Sequence, residues 1–208
     1  MSPQIVAAAH AVPSRSSSAP QLAHDLSNRL SNRATRVALV GAGFIADFHL
    51  EILRNTPGVE VVAICDADLV RAQSAARRFK VPHAVAKSAE LAAHEIDVAH
   101  VLVPPNLHVA VAREVIALGI GVLGEKPLAL SSADAHALGE LARAAGVVLG
   151  VNHNATHHPA FARLLTRVRA GEIGKVEHVR VCLAVPLRQL DAGDFSHWMF
   201  REPRNIVF

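Results

Sequence analysis

Short apolar runs alternate with longer amphipathic runs along residues 35–152. The short runs are rich in Val, Ile and Ala, which favours buried strands, whereas the longer runs repeat apolar residues at helical spacing. The predicted strands are Val37–Val40, Val59–Cys65, His83–Val85, Val98–Val103, Gly121–Gly124 and Val147–Val151. The predicted helices are Ile45–Arg54, Leu69–Phe79, Ala89–His94, Val109–Leu118 and Ala133–Ala145. Because strands that alternate with helices form a parallel sheet covered on both faces, the pattern predicts a doubly wound α/β fold.

A glycine-containing turn follows the first predicted strand and leads into a helix. Gly41 permits a tight turn, Gly43 has no Cβ to obstruct a pyrophosphate, and the small Ala46 lets the helix pack against the strand. Asp66 then ends the second predicted strand. A strand, a glycine turn, a helix and a second strand ending in an acid form the fingerprint of a Rossmann dinucleotide site, which we predict here.

Asp66 bears on which dinucleotide is bound. A carboxylate at this position accepts hydrogen bonds from the ribose hydroxyls and repels a 2′-phosphate, which favours NAD over NADP. Arg71 and Arg77 lie on the following helix, and either could accommodate NADP by folding over the ribose. The alternative interpretation is that Asp66 caps that helix.

A second candidate site is Gly124-Glu125-Lys126-Pro127, which emerges from the fifth main strand. Ligands of open α/β sheets bind at the carboxyl ends of the strands. A Lys there, stiffened by Pro127 and accompanied by Glu125, can donate or accept the proton of an alcohol or carbonyl while hydride moves to or from a nicotinamide. The alternative is an ordinary surface Lys.

The amino-acid composition argues against some classes of function, namely nucleic-acid binding and membrane insertion. The chain is 51% hydrophobic, which is ample for a core, and its net charge of +3 arises within the first 36 residues, which contain four Arg and one Asp. The remainder is neutral, so we expect no nucleic-acid partner. No uncharged apolar run approaches the roughly 20 residues that span a bilayer, so no membrane partner is expected. Cys65 and Cys182 are predicted on strands as buried hydrophobes, which fits a reducing cytoplasm.

The pattern changes after Asn152. Pro159 can start a helix through Arg169, and Val176–Val185 alternates like a strand with one wet face, which needs partner strands. His153 and His157 could share a helical face, but without an acidic partner we predict no metal. We therefore predict three parts: a disordered leader over 1–34, a dinucleotide-binding domain over 35–152, and the beginning of an incomplete substrate and oligomerisation domain over 153–208.

Six short motifs follow one another along the chain. They are Gly41-Ala-Gly43-Phe44-Ile45-Ala46, Cys65-Asp66, Val103-Pro104-Pro105-Asn106-Leu-His108, Gly124-Glu125-Lys126-Pro127, Val151-Asn152-His153-Asn154 and Gly171-Glu-Ile-Gly174-Lys-Val. In order and spacing they resemble the Gfo/Idh/MocA oxidoreductases, over about residues 35–185. The resemblance implies an N-terminal Rossmann domain and a C-terminal domain built on a large, mostly antiparallel sheet, which often mediates homo-oligomerisation.

The resemblance also implies an activity and a set of site residues. Relatives of this family transfer hydride between NAD(P) and sugars, nucleotide sugars, inositols or other polyols. By position, Lys126 resembles the catalytic Lys. The implied cofactor-binding residues are Gly41, Gly43, Phe44, Ile45, Asp66, Pro104, Asn106, His108, Glu125 and Lys126. The implied substrate-binding residues are Lys126, Asn152 and His153.

Two departures from the family pattern change the expectation for this chain. No Asp and His four residues apart follow Lys126 in a matching context, and the Arg-Phe pair that many relatives carry after Asn152 is replaced by His153-Asn-Ala-Thr-His157. We therefore expect a member truncated within its C-terminal domain, which binds nucleotide but lacks part of the catalytic site. The alternatives are an NAD-dependent glycosidase of the same fold and a non-catalytic NAD-binding regulator.

Overall fold

A computed structural model describes residues 33–182, 186, 188–196 and 200. The predicted disordered leader lies outside the described residues apart from Arg33 and Ala34, and so does the end of the predicted strand Val176–Val185.

The centre of the fold is a sheet of six parallel strands in the order β3-β2-β1-β4-β5-β6. The strands are β1 (Thr35–Val40), β2 (Val59–Cys65), β3 (His83–Val85), β4 (Val98–Val101), β5 (Gly121–Glu125) and β6 (Leu149–Asn152). The strand order reverses between β1 and β4, which is the switch point at which doubly wound sheets bind their ligands. The predicted Rossmann-like α/β fold is therefore confirmed.

Helices connect the strands. The α-helices are α1 (Phe44–Leu53), α2 (Leu69–Phe79), α3 (His108–Ala117), α4 (Ser132–Ala144), α5 (Pro159–Arg169) and α6 (Arg188–Asp191). The segments Ser88–His94, Pro105–Leu107 and Asn154–His157 are 3₁₀ helices. The predicted helix Ala89–His94 is thus present in the tighter 3₁₀ form.

Local chemistry determines where several helices begin and end. Ser131 caps α4, since its hydroxyl accepts a hydrogen bond from Asp134 N at 3.1 Å and donates one to the Asp134 carboxylate at 2.7 Å. Gly119 and Gly146 follow helices at φ 74° and 67°, the left-handed conformation that favours glycine. The cap of α2 is Asp68, which accepts hydrogen bonds from the first-turn amides, so Asp66 is not the helix cap.

Apolar side chains cover both faces of the sheet. Along β1, Val37 and Leu39 pack in a cluster with buried residues of α1 and α2, whereas Ala38 and Val40 pack in a second cluster with α3 and α4. This alternation is what a strand buried on both faces requires. Among the described residues, no helix is long and apolar enough to cross a membrane.

Two strand predictions differ from the structure. β4 ends at Val101 rather than Val103 because Pro104 has no N–H for a ladder bond and a 3₁₀ turn starts at Pro105. Residues 176–182 form no strand, although their pattern alternates. A strand needs a neighbour to accept its backbone hydrogen bonds, and the described residues pair none with this segment. Cys182 is accordingly exposed, contrary to the prediction, whereas Cys65 is buried as predicted.

Candidate functional site

Strand register brings the candidate site residues to one edge of the sheet. Val40 of β1 is paired with Cys65 of β2 and with Val101 of β4, and Val101 is paired with Gly124 of β5. The residues that follow these strand ends therefore lie along the same carboxyl edge. They are Gly41, Asp66, Leu102 and Glu125, and Glu125 is itself in register with Asn152 of β6.

The two glycines of the first turn differ in whether the fold itself requires a glycine at that position. Gly41 has φ 104°, and a Cβ built on it would lie 2.8 Å from the carbonyl carbon and oxygen of Leu102. Only glycine fits this turn. Gly43 has an ordinary φ of −79°, and a Cβ there would meet nothing within 4 Å. The structure therefore has no internal need for glycine at position 43, which leaves open space at the N-terminus of α1.

Helix α1 begins without a side-chain cap. Phe44 and Ile45 are its first residues, and both are exposed. Ala46 is fully buried and lets the helix approach β1. The N-terminus of a helix favours negative charge because its amides and its dipole point outward. The turn and the start of α1 together form an arrangement that suits an anion.

Asp66 lies beside the turn and is 8% exposed. One carboxylate oxygen accepts a hydrogen bond from Ala42 N at 2.8 Å, and the other accepts one from Asp68 N at 2.9 Å. The Arg71 guanidinium approaches the second oxygen at 3.5 Å. Asp66 therefore holds the glycine turn in place, and Arg71, one of the two Arg residues named from sequence, does lie against it.

A cavity of about 330 Å³ opens between the start of α1 and the length of α2. Gly43 and Phe44 line one side, and Arg71, Ser74 and Arg78 line the other. This volume falls within the usual range of small-molecule sites. The cavity is continuous with the open space in front of Gly43, so the same ligand can contact both.

Lys126 follows β5 and is exposed. Within the described residues, its ammonium group makes no hydrogen bond or ion pair. The segment after it is fastened by His108, which is 2% exposed and whose ring nitrogens lie 2.6 Å from Pro127 O and 2.8 Å from Val103 O. His108 thus joins the loop after β4 to the segment after β5, and a direct contact between His108 and a cofactor stays a prediction.

The remaining residues named from sequence lie at the same edge but make fewer contacts. Asn106 is exposed on the 3₁₀ turn after β4, and Pro104 precedes that turn half-buried. Asn152 contacts Glu125, and its neighbour His153 is exposed. The roles of these residues toward cofactor or substrate stay predictions.

The Glu125 carboxylate has three hydrogen-bonding partners among the described residues. Asn152 Nδ2 donates to Glu125 Oε1 at 2.6 Å, His49 Nε2 lies 3.2 Å from the same oxygen, and the Lys126 amide donates to Oε2 at 3.3 Å. Burial alone would raise the pKa of Glu125, but the hydrogen bonds from His49 and Asn152 hold it below its usual value. Glu125 is therefore a carboxylate at neutral pH.

Two histidines beneath Glu125 were not identified from the sequence. His49 Nδ1 lies 2.9 Å from Nδ1 of His100, a residue of β4 that is 8% exposed. Burial, with a smaller contribution from the charge of His49, lowers the pKa of His100 to about 4. The signals available in the sequence were a single polar residue within the apolar β4 run and a His three residues after the inward-facing Ala46.

Among the described residues, no group of three or more His, Cys, Asp or Glu side chains is placed to hold a metal ion. His153, His157 and His158 are all exposed. The Cys65 thiol beside Asp66 is unreactive, since burial and nearby carboxylates raise its pKa to about 12. The chemistry available at this edge is therefore that of an amine, a carboxylate, an amide and an anion-binding turn.

Comparisons with known proteins agree with this geometry. The profile of the Gfo/Idh/MocA "oxidoreductase family, NAD-binding Rossmann fold" matches residues 35–153. The chain is 33% identical over 138 residues to the D-apiose dehydrogenase of Paraburkholderia graminis, covering 66% of this chain and 37% of that protein. It is 31% identical over 160 residues to the dTDP-3,4-didehydro-2,6-dideoxy-alpha-D-glucose 3-reductase of Streptomyces violaceoruber, covering 76% and 47% respectively.

A solved structure with the same fold is that of GenD2 from gentamicin A biosynthesis in complex with NAD. It has a TM-score of 0.64 and 33% sequence identity, over 67% of this chain and 40% of that one. The chain thus spans less than half the length of the relatives that it matches.

Proposed function

Because the chain belongs to the Gfo/Idh/MocA oxidoreductase family, we propose that it binds NAD(H) and transfers hydride between the nicotinamide and a sugar-like substrate, with Lys126 moving the proton. The observation that carries this proposal is the shared register of the strand ends, which puts the glycine turn, Asp66 and the Glu125–Lys126 segment on one edge of the sheet. An anion-binding turn and a proton-transfer amine on the same edge are what a dinucleotide-dependent dehydrogenase needs.

Different residues of the chain would bind the cofactor and transfer the proton. The turn at Gly41–Gly43 and the N-terminus of α1 would hold the pyrophosphate, while the cavity beside Asp66 would hold the adenosine. Bound NAD supplies a hydride acceptor. The neutral amine form of Lys126 would accept the hydroxyl proton of the substrate as the carbon is oxidised, and the ammonium form would return a proton to the carbonyl oxygen in the reverse reaction. Its exposed amine is free of internal partners among the described residues, which suits this exchange.

NAD is the cofactor that Asp66 favours. Its carboxylate would repel a 2′-phosphate and would accept hydrogen bonds from the ribose hydroxyls of a bound adenosine. Arg71 works in the opposite direction, since it approaches Asp66 and lines that cavity. The NAD complex of GenD2 supports NAD, and NADP is the less favoured option.

The substrate class we propose is a sugar, a nucleotide sugar or a polyol. The two relatives named above act, by their names, on a free sugar and on a nucleotide sugar. Asn152, which ends β6 beside Glu125, and His153, which follows it, would contact the substrate. A cytoplasmic location, a C-terminal substrate domain after Asn152 and homo-oligomerisation through it are further proposals that await their own tests.

Replacing Lys126 tests the proposed reaction. NADH formation is measured with NAD and D-glucose, D-apiose or myo-inositol, before and after Lys126→Met. General acid–base groups contribute a hundredfold or more, so turnover should fall by about that factor while NADH affinity changes little. Lys80→Met is the matched control, because Lys80 is exposed at the opposite edge of the sheet, just before β3.

Other outcomes separate the alternatives. Turnover that survives Lys126→Met would contradict the role of Lys126. Cleavage of a glycoside without net NADH formation would favour the glycosidase alternative. NADH binding with no turnover of any substrate would agree with the expectation that this chain lacks part of the catalytic site, and would leave nucleotide binding as its activity.

A further inference from the structure

Three titratable side chains from different elements form a connected network beneath the candidate site. His49 comes from α1, His100 from β4 and Glu125 from the end of β5. His49 joins the other two, with Nδ1 2.9 Å from His100 Nδ1 and Nε2 3.2 Å from Glu125 Oε1. We call these residues the His49–His100–Glu125 network.

The hydrogen bonds determine which nitrogens carry protons. Glu125 is a carboxylate, so it only accepts, and His49 must carry a proton on Nε2 to donate to it. The two Nδ1 atoms face each other at hydrogen-bond distance, so one of them carries a proton and donates the hydrogen bond that the other accepts. His100 is neutral at physiological pH because burial lowers its pKa to about 4. Both contacts that join the three side chains are therefore hydrogen bonds.

The result for Glu125 is a fixed carboxylate. Its Oε1 accepts from both His49 and Asn152, and its Oε2 accepts from the backbone amide of Lys126. Helix α1, which begins at the glycine turn, is thereby connected through a side chain to the residue that precedes Lys126. A carboxylate held in this way fixes a negative charge beside the Lys126 backbone.

Packing alone does not account for the network. Burying the His100 imidazole on β4 costs free energy of desolvation, which an apolar side chain of similar size would avoid. A buried imidazole at this position therefore suggests that its hydrogen bond to His49 has a role. A polar group in the core that supports another polar group at the site is the arrangement by which functional side chains are held in position.

We propose that His49, supported by His100, is a positioning residue that holds the Glu125 carboxylate against the Lys126 segment. The role rests on the proposed function, because Lys126 and Glu125 matter only if this edge holds the reacting groups. His49 acts through Glu125 and is not expected to touch substrate or cofactor.

Two substitutions of His49 test its two hydrogen bonds separately, because each variant keeps a different one. The amide nitrogen of Gln reaches the position of the His Nε2 atom, so His49→Gln keeps the donor to Glu125. The shorter Asn reaches the position of Nδ1, so His49→Asn keeps a partner for His100 and loses the donor to Glu125. Both replace an imidazole by an amide, which makes them a matched pair.

The readout is the titration of Glu125, followed by the ¹³Cδ resonance in the ¹³C-Glu-labelled chain and assigned with Glu125→Gln. The groups that face this carboxylate are His49 and, behind it, His100, together with Asn152 and Lys126. The wild-type chain and His49→Gln should titrate below the usual Glu value. In His49→Asn the hydrogen bond from residue 49 that lowers the pKa of Glu125 is lost, while the burial that raises this pKa remains. The titration midpoint of Glu125 should therefore rise by about one unit or more.

Equal midpoints in His49→Gln and His49→Asn would overturn the proposal. If His49→Asn does not fold, the variants His100→Asn and His100→Leu test the proposal through the other partner of His49. Only His100→Leu removes a hydrogen-bonding partner from His49, so only this variant should raise the titration midpoint of Glu125. NADH is titrated into the same proteins by fluorescence. Failure of the wild-type chain to bind NADH would overturn the proposed function, while the order of the Glu125 midpoints would still decide the role of His49.

Discussion

At the scale of single residues, Asp66 combines a structural and a binding role. It accepts backbone hydrogen bonds from Ala42 and Asp68, so it shapes the turn that would receive a pyrophosphate. The same carboxylate lies beside the cavity between α1 and α2. Its negative charge therefore both stabilises the turn and selects against a phosphate on the ribose.

Removing that charge should change cofactor preference. Asp66→Asn keeps the size of the side chain and one acceptor oxygen, but it removes the repulsion toward a 2′-phosphate and leaves Arg71 free to pair with it. We expect the wild-type chain to bind NADH more tightly than NADPH, and the ratio of the two dissociation constants to fall by roughly tenfold in the variant. Fluorescence titration of both nucleotides measures this ratio.

A remote carboxylate provides the control. Asp134→Asn makes the same chemical change at the N-terminus of α4 and should leave the ratio unaltered. Tighter binding of NADPH than of NADH by the wild-type chain would contradict the preference that we assign to Asp66.

Residue roles that depend on local geometry could be predicted from the sequence, and those that depend on tertiary contact could not. The tight turn at Gly41 follows from the local change from a strand to a helix, so the sequence predicts it, whereas the close approach of Leu102 to that turn is seen only in the structure. The pairing of His49 with His100 joins residues 51 positions apart, and nothing near either residue indicates the other.

At the scale of elements, the strands and helices of residues 35–152 could be predicted because their patterns are local and mutually consistent. Ser131 and Gly146 mark the two ends of α4, and the apolar residues between them repeat at helical spacing. The fully apolar strands likewise match a sheet that is covered on both faces.

The segment Val176–Val185 shows the limit of such prediction. An alternating pattern indicates a strand only if another strand lies beside it, because the backbone groups at a strand edge need partners. Val179 and Val181 are 70% and 85% exposed, and no described strand pairs with them. The alternating sequence pattern is present, but no strand among the described residues pairs with this segment.

At the scale of the whole molecule, the buried His100 makes stability depend on pH. An unfolded His takes up its proton near pH 6.5, whereas His100 in the folded chain does so near pH 4. As the pH falls between these values, the unfolded chain binds a proton that the folded chain does not. The free energy of unfolding should therefore decrease by about 2 kcal/mol between pH 7.5 and pH 5, with little contribution from His100 above that range.

Urea unfolding of the wild-type chain and of His100→Leu at pH 7 and pH 5 isolates this contribution. The difference in unfolding free energy between the two proteins should shift in favour of the Leu variant at the lower pH. Glu125 titrates below its usual value and adds its own loss of stability only at more acidic pH, so it does not obscure the comparison. A difference that is the same at both pH values would contradict a neutral, buried His100.

The central claim for the whole molecule is that the open space before Gly43 is where a dinucleotide approaches the sheet edge. Gly43 has an ordinary backbone conformation and room for a Cβ, so Gly43→Ala should fold with unchanged thermal stability. Its added methyl group would occupy the space that a pyrophosphate needs. Gly139→Ala, which adds a methyl group to open space on α4, is the matched control.

The most direct test is therefore a fluorescence titration of NADH into the wild-type chain, Gly43→Ala and Gly139→Ala. We predict binding by the wild-type chain and by Gly139→Ala with similar dissociation constants, and a dissociation constant raised by roughly tenfold or more for Gly43→Ala, equivalent to about 1.4 kcal/mol or more. Wild-type affinity in a folded Gly43→Ala protein would contradict the account.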